Sequence, residues 1–204
     1  MTVALAPGAR RFALPPLVAA IPLAIVAPPL GAAALALGVG IVYFFRDPDR
    51  TPPPQGVVSP ADGRVSVVRE EECRIRVGVF MNVTDVHVLR APRDGVVETL
   101  THRPGAHRPA FTKDSDRNER VDVALDTCDL SMIAGWFARR IYPYLAAGDE
   151  VARGDRIGHI AFGSRADVLL PAEYDADDLL VAEGDPVRAG ETAVALRTAD
   201  SSAD

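Results

Sequence analysis

The sequence predicts a mainly β domain built of short hairpins, carried behind an N-terminal hydrophobic helical membrane segment. Three observations predict it. Residues 12–45 contain no charged side chain, short apolar stretches of period two follow residue 56, and an eight-residue Gly- and Asp-rich segment occurs twice. The length of 204 residues, 48% of them hydrophobic and 6% aromatic, allows one core plus an appendage. A net charge of -6 with no basic tail or stripe excludes nucleic acid as the expected partner.

The apolar run is bracketed by Arg10-Arg11 and Arg46. A straight span needs about 20 uninterrupted apolar residues to cross about 30 Å. Pro15, Pro16, Pro22 and the Pro28-Pro29-Leu30-Gly31 break interrupt this one, so two short helices in a hairpin and a single kinked span both stay open. A removable signal peptide fits worse, because the run is too long and continues directly into Phe44-Phe45-Arg46-Asp47-Pro48. Arginines are too evenly divided between the two flanks to orient it. Residues 47–55, with Pro52-Pro53-Pro54, read as an extended spacer. The expected organisation is a membrane-associated segment and linker over 1–55 and a β domain over 56–204 that carries the chemistry.

Within that domain, residues 63–69, 74–80, 86–89, 95–100 and 121–125 alternate as strands, while 130–145 reads equally as strand or helix. Gly148-Asp149-Glu150-Val151-Ala152-Arg153-Gly154-Asp155 recurs as Gly184-Asp185-Pro186-Val187-Arg188-Ala189-Gly190-Glu191. Weaker echoes stand at Asp62-Gly63-Arg64-Val65 and Asp94-Gly95-Val96-Val97, where Asp-Gly suits a tight turn. This pattern of turn, short strand, turn and strand resembles the barrel-sandwich of biotinyl and lipoyl carrier domains. Cys73 and Cys128 are expected as buried free thiols, and no metal-ligand cluster is visible.

Between the repeat copies lies Ile160-Ala161-Phe162-Gly163-Ser164-Arg165-Ala166-Asp167-Val168-Leu169-Leu170-Pro171. A Gly-Ser pair by itself is a turn, but here an apolar strand leads in and another leads out. Five further segments stand in order around it: Phe44-Phe45-Arg46-Asp47-Pro48, Ser59-Pro60-Ala61-Asp62-Gly63, Asp85-Val86-His87-Val88-Leu89-Arg90-Ala91-Pro92, Asn118-Glu119-Arg120, and Ile133-Ala134-Gly135 with Ala138-Arg139-Arg140-Ile141. From residue 44 to 171 this ordered set resembles the short, Phe-Gly-Ser-Arg type of the phosphatidylserine decarboxylase family. The resemblance implies decarboxylation of phosphatidylserine to phosphatidylethanolamine and CO2. It also implies an autocatalytic cut between Gly163 and Ser164, a pyruvoyl group made from Ser164, and chains 1–163 and 164–204 that stay together as a heterodimer.

The residue types suit that chemistry. A residue without Cβ before the serine clears the approach of the hydroxyl to the preceding carbonyl and tolerates a strained backbone. A carbonyl cofactor that takes the substrate amine supplies the electron sink that loss of CO2 requires. The rival sink, pyridoxal phosphate, needs a lysine, and the single lysine of the chain, Lys113, lies in a polar loop.

For the cut itself the resemblance implies an Asp-His-Ser set, with Asp62 matching the aspartate and His87 the candidate base. Longer family members carry a second histidine three residues on. Arg90 stands there, so either His87 or another group activates Ser164. His87 also reads as a packed strand residue, alternating with Val86 and Val88. His102 and His107 fall in a Pro-Gly loop, and His159 lies near the cleavage strand. Asn118-Glu119-Arg120 is either a solvated turn or a holder of the headgroup or loop, and Arg139-Arg140 either meets phosphate or is plain surface. The rival function, a non-catalytic membrane-anchored carrier or binding module, requires a lysine at a hairpin tip and finds none. The expected partners are therefore a serine phospholipid and membrane lipid, met at the bilayer surface and, as the family implies, on the cytoplasmic side of the cell membrane.

Overall fold

The computed structural model describes residues 4–106, 117–135, 140–161 and 164–197. The chain forms two compact units, Met1–Asp49 and Arg50–Asp204. The first comprises β1 (Ala4–Leu5), α1 (Ala9–Val26), α2 (Pro28–Phe44) and β2 (Arg46–Asp47). Of the two arrangements the sequence left open, this is the hairpin. Only Ala27 separates the helices, and small residues let them close: a Cβ on Gly31 would meet the Ala24 backbone at 2.5 Å, and one on Gly38 would meet Leu17 at 2.5 Å. Pro15, Pro16 and Pro22 lie inside α1 without ending it. At the open end β1 pairs antiparallel with β2, and Phe12 stacks on Phe45 with ring centroids 5.8 Å apart.

The second unit is mainly β, as expected. Its strands are β3 (Val57–Val58), β4 (Gly63–Glu71), β5 (Arg74–Met81), β6 (Val88–Arg90), β7 (Gly95–Arg103), β8 (Arg120–Leu125), β9 (Asp129–Ala134), β10 (Ile141–Pro143), β11 (Glu150–Val151), β12 (Arg156–Ile160), β13 (Ser164–Leu169), β14 (Pro186–Val187) and β15 (Ala193–Ala195). Eight of them form one curled, half-barrel sheet in the order β11-β7-β8-β9-β13-β5-β4-β14. Smaller sheets, β10-β12-β6 and β15-β3, accompany it, and the ladders are antiparallel throughout. Period two is explicit in β8, where Val121, Val123 and Leu125 are buried and Arg120, Asp122 and Ala124 only partly so. Val77, Val79, Leu89, Leu130, Met132, Ile157, Ile160, Ala166 and Val168 meet in one core.

The ambiguous stretch 130–145 is extended at both described ends, in β9 and β10. β9 has a sheet partner on each side, and those ladders outweigh its weak helical periodicity. Cys128 is buried, whereas Cys73 is exposed, contrary to expectation. The reason is local: Cys73 forms the β4–β5 turn with Glu72, both at positive φ, so its side chain is thrown clear of the sheet.

The internal repeat has a structural meaning. Gly148 N donates to Val97 O and Val97 N to Asp149 O, and in the second copy Gly184 N donates to Val65 O and Val65 N to Asp185 O. Each Gly-Asp turn thus docks on one Asp-Gly echo, as β11 pairs with β7 and β14 with β4. The aspartates close their turns by accepting from backbone N–H groups, Ala146 to Asp149 Oδ2 at 2.8 Å and Ala182 to Asp185 Oδ2 at 2.9 Å.

Gly63 is the most constrained point of this frame. Its φ is 142°, and an added Cβ would collide with the carbonyl of Phe80 and approach Met81 Cα to 3.3 Å. Gly63→Ala is therefore expected to destabilise the domain by about 3 kcal/mol or more. Denaturant unfolding of an uncut Ser164→Ala protein measures this, and an unchanged midpoint would contradict it.

Candidate functional site

Ser164 opens β13, a central strand paired along its whole length, with Met81 of β5 and Ala134 of β9 as its neighbours. It is fully buried, and its Oγ lies 3.8 Å from the thioether sulfur of Met81. The same face of β13 carries Ala166 and Val168 into the core, so the hydroxyl sits in a dry, apolar environment. Phe162 and Gly163 lie outside the described residues.

The next side chain, Arg165, points to the other face and is itself buried. It grips Asp167 with two bonds, Nε to Oδ1 at 2.7 Å and one terminal nitrogen to Oδ2 at 2.8 Å, and Arg76 approaches the same carboxylate at 3.4 Å. Such a bidentate pair, desolvated on both sides, fixes the facing of β13 and so the direction in which Ser164 points. Room for it comes from Gly78, where a Cβ would fall 2.7 Å from Asp167 Oδ1.

Asn118, Ala134, Ser164, Met81 and Gly63 form a row across the ends of their strands. Met81 and Ala134 flank Ser164, the β4–β5 register carries Gly63 next to Met81, and Asn118 Nδ2 donates to the Ala134 carbonyl at 2.8 Å. Asn118 is buried, Glu119 N donates to Ala106 O, and Ala134 N donates to Glu119 O. The Asn118-Glu119-Arg120 segment is therefore no solvated turn; it holds the strand beside Ser164. Its order in sequence after Asp62 and His87 was the only prior signal.

His87 is buried just before β6. Its carbonyl accepts from Ile160 N at 3.3 Å, on the strand that runs toward the Gly163-Ser164 bond, and by strand alternation its ring faces the core with Leu89. Nδ1 lies 2.9 Å from the Asp85 carbonyl oxygen. A carbonyl only accepts, so Nδ1 carries a proton, and Nε2, completely buried, is the nitrogen that bears the lone pair whenever the ring is neutral.

Asp62 lies at the Gly63 end of the row, about 10 Å or two strand spacings from Ser164. Its carboxylate accepts from one terminal nitrogen of Arg50 at 2.8 and 2.9 Å, the other nitrogen of Arg50 reaching Glu191 at 3.0 Å, and from the N–H of Ala189 at 2.8 Å. Among the described residues these are its partners, and His87 is not one of them. The pairing was invisible in sequence, since Arg50 belongs to a stretch that reads as spacer.

Arg90 is buried with one guanidinium nitrogen 3.1 Å from Gly154 O, and its stem packs 3.4 Å from where a Gly190 Cβ would stand. It thus bridges the two repeat turns. An arginine stays protonated, so this group does not serve as a base.

Of the remaining histidines, His102 is exposed and 2.9 Å from Glu119, and His107 lies outside the described residues, as do Lys113, Ala138 and Arg139. His159, set aside as a mere neighbour of the cleavage strand, has a structured surrounding that the sequence did not announce. Tyr142 stacks on it at 4.6 Å and 8°, and the Tyr144 hydroxyl lies 2.8 Å from its Nδ1. Burial pushes the His159 pKa down to about 4, so the ring is neutral at physiological pH. Burial likewise pushes the Cys128 thiol up to about 12, which removes it as a nucleophile. Among the described residues no cluster of His, Cys, Asp and Glu suits a metal ion.

Comparison with known proteins gives a concordant result. The family model for phosphatidylserine decarboxylase matches residues 38–195. A putative archaetidylserine decarboxylase proenzyme of Halobacterium salinarum is 53% identical over 190 residues, covering 93% of this chain and 97% of that one. A phosphatidylserine decarboxylase proenzyme of Thermobifida fusca is 49% identical over 168 residues, covering 80% of this chain and 76% of its own. A phosphatidylserine decarboxylase proenzyme of Streptomyces avermitilis is 48% identical over 149 residues, covering 71% and 69%.

The His159 environment predicts a pH dependence of stability. The unfolded ring titrates near 6.5 and the folded ring near 4. Between these values the unfolded chain binds the extra proton, so stability is full above pH 6.5 and falls as the pH is lowered toward 4, by up to about 3 kcal/mol. Denaturant unfolding of the uncut Ser164→Ala protein between pH 7.5 and 4.5 should show this decline. His159→Phe, which keeps the stacking, should flatten it; equal slopes for both proteins would refute the assignment.

Proposed function

The chain belongs to the phosphatidylserine decarboxylase family, and from that premise we propose how its residues make and use the catalytic group. The reaction is decarboxylation of phosphatidylserine to phosphatidylethanolamine and CO2, dependent on a pyruvoyl group that the proenzyme makes from its own serine. The single observation that carries the reading is Ser164, buried and fixed at the first position of a strand held on both sides.

In the proposed maturation Ser164 Oγ attacks the carbonyl carbon of Gly163 as His87 takes the hydroxyl proton, and the peptide becomes an ester. Removal of the Ser164 α-proton then breaks the ester C–O bond. Gly163 leaves as the carboxylate end of chain 1–163, and a dehydroalanine remains at residue 164. One water hydrolyses it, releasing ammonia and leaving the pyruvoyl terminus of chain 164–204. His87 is supported as the base by its tautomer, which leaves the Nε2 lone pair on the buried side of the ring. Asp62 is assigned the supporting role of the set, with Arg50 as the counter-ion that holds its carboxylate in place.

The surroundings of Ser164 fit the group. The neighbours Met81, Ala134 and Ala166 carry no amine or thiol to consume a ketone. When formed, the pyruvoyl supplies the electron sink for the carbanion left by CO2. Asn118, through Ala134, and Arg165, through Asp167, hold the strand ends that position it.

The heterodimer of large and small chains is supported by the strand pairing. Chain 164–204 contributes β13, β14 and β15, which pair with β5 and β9, with β4, and with β3 of chain 1–163. A cut at residue 163 thus leaves every ladder of the small chain intact. The barrel-sandwich likeness to carrier domains belongs to the same proposal and rests on the two docked Gly-Asp repeats. The apolar helices support attachment to the cell membrane, and we place the catalytic unit on the cytoplasmic side, where the substrate headgroup is met at the interface.

The test is CO2 release from serine phospholipids, run with ester-linked and with ether-linked tails because relatives of both names are similar to this chain. Wild-type protein should release CO2 and run as two chains. Ser164→Ala should be inactive and run as one band near 21.7 kDa. His87→Ala should slow the cut by about 10²-fold or more, with Asp62→Asn slowing it less. An intact wild-type chain that releases CO2, or a Ser164→Ala chain that is still cut, would contradict the mechanism.

A further inference from the structure

The N-terminal unit presents its chemistry in an uneven way. Its inward faces are small, with Ala9, Ala13, Ala20, Gly31 and Gly38 buried between the helices. Its outward faces are large and apolar, as at Val18, Ile21, Leu30 and Leu37. Exposure is greatest at the tip, where Ile25 is 80% and Val26 84% accessible. In water so large an apolar surface is strongly unfavourable, and no second protein surface is needed to explain it, because a bilayer supplies the solvent that it fits.

The base and tip of the hairpin differ in a way that fixes how it enters that bilayer. At the base, Leu5 pairs with Arg46 and Ala4 with Asp47, and Ala6 N donates to Phe45 O at 2.8 Å. The two ends of the segment are therefore tied at one level. All the charge is there: Arg10 and Arg11 at the start of α1, and Arg46 at the end of α2, where its guanidinium lies 3.9 Å over the Tyr43 ring. Basic and aromatic side chains in that combination suit the phosphate layer of a membrane.

At the tip no backbone donor asks for water. The N-terminus of α2 has no side-chain cap, the position being Ala27 where a solvated helix favours Ser, Thr, Asp or Asn. Its backbone donors are nevertheless all accounted for. Ala27 N donates to Leu23 O at 2.7 Å, Pro28 and Pro29 have no N–H, and Leu30 N and Gly31 N both donate to Ala27 O at 2.9 and 3.1 Å. Hydrocarbon demands that donors be satisfied internally in this way, and water does not. Length alone does not decide the matter, since α1 of 18 residues reaches about 27 Å at 1.5 Å per residue and is long and apolar enough to cross a core of about 30 Å; the tied base and the turn at Ala27 do.

We propose that the hairpin Ala9–Phe44 enters the bilayer from one face only, with its tip at residues 25–30 embedded in hydrocarbon and its arginine-bearing base on the phosphates of that same face. The segment is then a monotopic anchor and crosses nothing, so the N-terminus and the catalytic unit share one side of the membrane. This rests on the reading that the apolar segment is membrane-embedded and is independent of the decarboxylation itself.

Thiol accessibility in the full-length protein tests it, with buried Cys128 retained as a silent residue. Wild type reports Cys73 of the catalytic unit; Cys73→Ser carrying Leu5→Cys reports the base, and Cys73→Ser carrying Val26→Cys or Ile25→Cys reports the tip. A membrane-impermeant maleimide is applied to intact cells and to inside-out vesicles. Leu5→Cys and Cys73 should label from the same single face, and the tip thiols from neither face until detergent is added. Tip labelling from the opposite face, or base and catalytic unit on opposite faces, would overturn the one-face insertion while leaving the membrane reading standing. Release of the chain by alkaline carbonate, with tip labelling that needs no detergent, would overturn both. Self-cleavage of each variant reports that it has folded.

Discussion

The structure turns on one constraint, the pairing of β13 on both of its edges from its first residue onward. Ser164 cannot shift along the strand or rotate out of it without breaking ladders to β5 and β9. The buried Arg165–Asp167 pair strengthens this by fixing which face of the strand looks toward the core. A one-residue slip would put the hydroxyl on the guanidinium side and turn Arg165 and Asp167 onto the core face, while Ala166 and Val168 left it. Removing either partner of such a pair is costly, on the order of 3–5 kcal/mol, because a charge is left buried. In the proposed maturation the motif Gly-Ser-Arg thus has two jobs, a bond to be cut and an orientation to be kept.

The same pairing reconciles chain cleavage with a lasting fold. Most proteins nicked in a central strand would lose it. The proposed cut precedes β13, so the β13 ladders would remain whole, and β14 and β15 pair with β4 and β3 beyond it. Arg90 adds a side-chain link between the turns at Gly154 and Gly190, one on each side of the cut. Where the family resemblance leads one to expect a second histidine, this chain has a structural clamp, in keeping with the proposal that His87 moves the proton.

Much of this was legible in the sequence, for identifiable reasons. Alternation placed strands at 63–69, 74–80, 95–100 and 121–125, each within one to three residues of its bounds in the structure, because each has one face in the core and one outside it. The repeats announced paired turns, although not that each copy docks on an Asp-Gly echo some 50 or 120 residues away, as the bonds of Val97 with residues 148–149 and of Val65 with 184–185 do. Long-range partners were the general blind spot. Arg50 on Asp62, Asn118 on Ala134 and Tyr144 on His159 involve residues whose local sequence carries no sign of the contact. Cys73 failed for the opposite reason: composition favours buried cysteines, and a two-residue turn at positive φ overrode that preference. In the N-terminal unit, proline placement could not choose between a hairpin and a span, since the decisive element is the backbone of the turn around Ala27.

The central claim is that Ser164 becomes the pyruvoyl terminus of its own chain. The intact masses of the purified wild-type protein test it most directly. The account predicts two species, residues 1–163 ending in an ordinary carboxylate, and residues 164–204 lighter than the plain peptide by the mass of one ammonia and reactive toward a hydrazide. A single uncut chain, or a small chain that begins with unmodified serine, would contradict it.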